Sequence, residues 1–206
     1  MRAKIAVVAA IVTALGLSAC GGHLTLGSLP SPGAAPTAAH AGTGHRSAHG
    51  LFAVHDPGAV TGTLTGRCRA RDNGQLPDRA CTPGAIDPAV TQADIGSTIC
   101  RSGYTTSVRP PESQTEKFKW GVAEPAYGQH DVPGELDHLV PLELGGANDA
   151  RNLWVEAGSI PNPKDAVEDA LNRAVCDGKV KLRAAQVAIA RNWTKAGAAV
   201  GVSVPG

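Results

Sequence analysis

Leu136-Asp137-His138-Leu139-Val140-Pro141-Leu142-Glu143-Leu144-Gly145-Gly146-Ala147-Asn148-Asp149-Ala150-Arg151-Asn152-Leu153-Trp154-Val155 is the stretch from which the fold can be read. Asp137 and His138 place a carboxylate and an imidazole side by side at the edge of an apolar strand. Because successive strand residues point to opposite faces, the two side chains serve different partners. A Gly145-Gly146 turn with Asn148-Asp149 follows, then a second apolar strand at residues 152–155. Asn162-Pro163 reads as an N-cap followed by proline at the first helical position. Strand, loop, strand and helix with a polar pair on the first strand make a compact arrangement suited to binding a metal.

The run Asp-His-Leu-Val-Pro-Leu-x-x-Gly-Gly-x-Asn-Asp-x-x-Asn-Leu strongly resembles the ββα-metal core of HNH nucleases, over roughly 30 residues and about 45 with the helix. The resemblance implies Asp137 as a first-strand metal ligand, His138 as the general base that activates water, and Asn152 as the residue that pins the loop. The family usually has a histidine on the helix, and no histidine follows His138 in this chain. Asn162, ten residues after Asn152, and Asp165 are the two candidates for that ligand. A carboxamide that caps the helix is less available to a cation, so if Asn162 caps, Asp165 should ligate.

These residue types suit phosphodiester hydrolysis. An imidazole with an ordinary pKa of about 6.5 can deprotonate water near neutral pH, and a cation can neutralise the scissile phosphate and the departing oxygen. Carboxylate and carboxamide oxygens without thiolates favour a single hard ion, Mg2+ or Mn2+, with Zn2+ and Ni2+ as alternatives. Arg151 and Lys164, and beyond them Arg173 and Lys179, are candidates to hold flanking phosphates of a nucleic-acid substrate, DNA foremost.

Working outward, Ala166, Val167, Ala170, Leu171, Ala174 and Val175 form a stripe at helical spacing that Gly178 ends, and Leu182, Ala185, Ile189 and Trp193 form a second. Residues 113–120 suit a short helix, whereas residues 61–100 show only short β-like pieces between turn signals such as Asp72-Asn73-Gly74. The fold class expected is α+β, a small disulfide-stapled domain over residues 61–200 with its ββα core at about 134–177. Four cysteines, Cys68, Cys81, Cys100 and Cys176, allow three disulfide connectivities. Cys68–Cys81 and Cys100–Cys176 are favoured. The first closes a short polar loop and the second ties the middle of the domain to a C-terminal helix. A four-cysteine zinc site competes, but it lacks a pair separated by two residues. The resemblance also extends to exported bacterial proteins through Thr82-Pro83-Gly84-Ala85, Ile99–Tyr104, Arg109-Pro110, and Lys164-Asp165-x-x-Glu168 with Cys176. It thereby supports the Cys100–Cys176 pairing.

At the N-terminus, Arg2 and Lys4 precede an apolar or small run from Ile5 to Leu17, too short to cross a bilayer core comfortably. With Leu17-Ser18-Ala19-Cys20 it resembles a lipoprotein signal, residues 1–19, which implies a lipid on Cys20. Residues 20–60, rich in Gly, Ala, Pro and His, read as a disordered tether. The expected location is therefore outside the cytoplasm, lipid-anchored on the outer face of a bacterial cell membrane, and no protein partner can be named from the sequence. The chain's formal charge of +1 falls to −1 once Arg2 and Lys4 are removed, which excludes a polybasic chain held to nucleic acid by bulk charge. The functional expectation is a metal-dependent nuclease. The competing expectation is a non-catalytic envelope binding module on the same scaffold.

Overall fold

The computed structural model describes residues 45–46, 50–55 and 58–205, all within one unit, His40–Gly206. Cys20 and the signal segment lie outside the described residues. The fold class is α+β, with two small sheets, a set of helices and two disulfides.

The first sheet joins β1 (His45–Arg46), β2 (Phe52–Ala53) and β3 (Ala85–Ile86), with β1–β2 antiparallel and β2–β3 parallel. Residues 51–54, expected to lie within the tether, are packed here: Leu51 and Val54 are buried, and the amides of Phe52 and Val54 donate to the carbonyls of Gly84 and Ile86. Composition could not show this, since the ordering comes from a distant backbone. Helices α1 (Tyr104–Val108), α2 (Glu112–Phe118) and α3 (Glu124–Tyr127) follow, with a π turn at Lys119–Ala123 between the last two.

Next come β4 (Gly134–His138) and β5 (Leu153–Ala157), an antiparallel pair in which Asp137 opposes Trp154 and His138 opposes Leu153. The chain then enters α4 (Pro163–Cys176) and α5 (Leu182–Arg191), and closes with α6 (Ala196–Ala199). Alternation along the hairpin gives it two unlike faces. Leu136, Leu153 and Val155 pack with Phe118, Ala123 and Ala150 in a small apolar cluster. The opposite face carries Glu135, Asp137, Trp154 and Glu156, and Asp137 meets α4 through Lys164.

The larger core is built by both C-terminal helices. Val167, Leu171 and Val175 of α4 and Leu182, Ala185 and Ile189 of α5 pack with Leu51, Leu76, Leu139, Val140 and Leu144. Helix α5 ends at Arg191, where Asn192 turns extended, so Trp193 completes the second stripe from a following 3-10 turn. Both helices also grip the turn at Leu142–Leu144: Asn172 Nδ2 donates to the Glu143 carbonyl at 2.7 Å and Gln186 Nε2 to the Leu144 carbonyl at 2.8 Å. The disulfides are Cys68–Cys81 and Cys100–Cys176, the pairing favoured from the sequence, and the second joins the segment before α1 to the last residue of α4.

Candidate active site

The loop between β4 and β5 is held by one side chain. Asn152, fully buried, accepts from the amides of Val140 (2.9 Å) and Ala85 (3.3 Å), and its Nδ2 donates to the carbonyls of Val140 (2.9 Å) and Ala147 (3.0 Å). Two donors and two acceptors are thus all satisfied, as burial of a carboxamide requires. Gly146 is needed beside it, because a Cβ there would fall inside the Val140 carbonyl and press on Asn152 Nδ2. The loop is also laced to distant backbone: Ala147 N–H donates to Ala85 O at 3.0 Å, Asp87 N–H to Gly145 O at 2.9 Å, and Thr61 N–H to Asn148 O at 2.8 Å.

His138 ends β4 at 6% exposure, with Nε2 2.6 Å from Asn148 Oδ1. Asn148 Nδ2 donates to the Val108 carbonyl at 2.8 Å, which fixes the amide so that Oδ1 faces the imidazole. An amide oxygen only accepts, so Nε2 carries the proton and Nδ1 keeps its lone pair. Burial lowers the His138 pKa; Asn148 and Asp137 oppose that shift, while the charges of Arg109 and Lys164 add to it. The imidazole is therefore neutral at pH 7. The exposed Arg109, one residue beyond the carbonyl that fixes Asn148, is within electrostatic reach of this ring.

The chain matches no family model, no curated protein and no solved structure.

On the other side of β4, Asp137 Oδ2 lies 2.7 Å from Lys164 Nζ and accepts from Trp154 Nε1 at 3.4 Å. Lys164 is 0% exposed, and its ammonium also donates to Glu168 and, at 2.8 Å, to the His138 carbonyl. Burial alone would lower the Lys164 pKa, but Asp137 and Glu168 outweigh it and the group is held above its ordinary value. Glu156, 6% exposed, is raised to about 8 by burial and by the neighbouring Asp137, so at neutral pH it holds its proton. Glu135 is raised as well, mainly by burial, while it receives Asn162 Nδ2 at 2.5 Å.

Several sequence expectations change here. Lys164, expected to hold phosphate, is enclosed and saturated by three acceptors. Arg151, expected in the same role, makes a two-armed pair with Asp149 (2.7 and 3.0 Å) and lies over the Phe52 ring at 4.3 Å. Arg173 and Lys179 are exposed beside Asp169 and Asp177. The either-or between Asn162 and Asp165 does not arise, because both form one capping box. Asn162 Oδ1 accepts from Lys164 N–H at 2.8 Å, and Asp165 Oδ2 accepts from Asn162 N–H at 3.1 Å.

Every residue expected to ligate a metal thus has an oxygen engaged by the protein, and Asp137 faces a buried ammonium. Among the described residues no group of three or more His, Cys, Asp or Glu is placed to hold an ion. The expected donor set, Asp137 with Asn162 or Asp165, does not fit a metal as arranged. Nothing in the sequence marks Asn148 or Arg109 for a role beside His138. Their relation to His138 depends on α1 packing against the loop, which no local spacing encodes.

Proposed function

We propose that this protein is an HNH-like hydrolase of nucleic-acid phosphodiesters, DNA foremost, acting outside the cytoplasm, with His138 as its general base. The observation that carries this reading is the His138–Asn148 pair on a loop pinned by Asn152: a neutral, oriented imidazole with Nε2 committed to Asn148, which makes Nδ1 the nitrogen that can accept a proton. The strand–loop–strand–helix order around it supports the ββα resemblance. In the reaction, His138 Nδ1 removes a proton from water while the water oxygen bonds to phosphorus. The ester P–O bond breaks, and the departing alkoxide takes a proton from solvent. Arg109 supplies positive charge near the imidazole for the phosphate; Arg151 and Lys164, already paired, are less suited.

The second reading, a non-catalytic binding module, is favoured by one observation: the Asp137–Lys164–Glu168 network is closed, with the buried ammonium neutralising Asp137. The two are separated by incubating the purified protein with plasmid, single-stranded DNA and structured RNA, with added Mg2+ or Mn2+ and with chelator, and analysing the new ends. Hydrolysis yielding one phosphate terminus per break supports the hydrolase. Intact substrates under every condition favour the module.

A further inference from the structure

We infer that Lys164 is a built-in cation: its ammonium stands between β4 and α4 where an ion bridging strand and helix would sit, and the site holds its carboxylates without a divalent metal. The inference rests on the ββα reading only for the position such an ion would take. Three oxygens converge on Nζ, from Asp137 (2.7 Å), Glu168 and the His138 carbonyl (2.8 Å). They match the three donors of an ammonium one to one. They are also the hard oxygen donors that a divalent ion would choose. The buried Glu156, whose Oε2 has no hydrogen-bond partner, adds a further acid beside Asp137.

The position of the lysine is dictated from outside the cluster. Pro163 and the Asn162–Asp165 capping box fix where α4 begins, so Lys164 enters on the first turn, with Glu168 one turn later on the same side. With no exposed surface, Lys164 has no route aside for an incoming ion short of opening the seam between hairpin and helix. A divalent ion would also have to displace a charge that already neutralises Asp137. Lys164 is therefore a positioning residue: its bond to the His138 carbonyl ties the end of β4 to α4, and its charge keeps the acidic hairpin face seated on the helix.

The test is Mn2+ binding to the full-length chain, followed by electron paramagnetic resonance and calorimetry, which needs no turnover. Failure of the nuclease reading would leave this result unaffected. Wild-type protein is expected to show no saturable site at Asp137, so that Asp137→Asn leaves its Mn2+ isotherm unchanged. Lys164→Ala is expected to gain one site, tighter than any in wild type by about 100-fold, the order that follows from removing a positive charge in contact with Asp137. Adding Asp137→Asn to Lys164→Ala should abolish the gain, and Mn2+ should raise the melting temperature of Lys164→Ala alone. One equivalent of Mn2+ bound by wild type and lost in Asp137→Asn overturns the inference, whether or not Lys164→Ala folds. A folded Lys164→Ala protein that gains no site overturns it too.

Discussion

Glu143 shows what single residues contribute around the site. Its Oε1 is buried without a donor, and burial, reinforced by Asp169, raises its pKa to about 7. A carboxyl whose folded pKa lies above its unfolded value favours the folded state at low pH, and that contribution is lost as pH rises from about 4.5 to about 7. Glu143→Gln should therefore stabilise the protein at pH 8, by at most about 3 kcal/mol, and change little at pH 4, as read from urea midpoints at the two values. His138 has the opposite sign. Its depressed pKa means that stability is complete above the ordinary histidine value and declines as pH falls below it. At this scale the sequence was informative about identity and silent about partners. Asp137, His138 and Asn152 could be picked out by type and spacing. That Asp137 would meet Lys164 could not, because it depends on how α4 rotates over the hairpin.

Among the elements, α4 was the most legible. Its apolar stripe, Asn162-Pro163 entry and Gly178 stop are local signals, and the helix runs Pro163–Cys176 with Asn162 as its cap. Asn162→Ala should cost about 1 kcal/mol in denaturant unfolding, the usual loss for a cap. It should also release Glu135, the partner of Asn162 Nδ2. The hairpin strands were legible for the same reason, as alternation is a period-two signal. The β1–β2–β3 sheet was not, since its two-residue strands carry no periodicity and exist only because β3 lies beside β2. The face that α4 covers was also hidden. A strand face packed on a helix is expected to be apolar, yet here it carries Glu135, Asp137 and Glu156 around one lysine, a polar seam between two apolar clusters.

For the molecule as a whole, the disulfides divide the work unequally. Cys100 and Cys176 are 76 residues apart in sequence, Cys68 and Cys81 only 13. Loop-entropy reasoning assigns about 4.5 kcal/mol to the long closure and about 3 kcal/mol to the short one. Replacing Cys100 and Cys176 by serine should lower the unfolding free energy more than replacing the other pair, measured in the same denaturant series. The charge balance also operates at this scale. With almost no net charge, the proposed contact with nucleic acid would run through local groups such as Arg109, so cleavage should weaken as salt rises. In the proposed reaction a neutral His138, oriented by Asn148, takes the proton from the attacking water. The rate of DNA cleavage by His138→Ala against wild type, with both proteins shown to be folded by circular dichroism, is expected to fall by about 10²- to 10⁴-fold, the usual contribution of a general base; cleavage by His138→Ala at the wild-type rate would overturn that role.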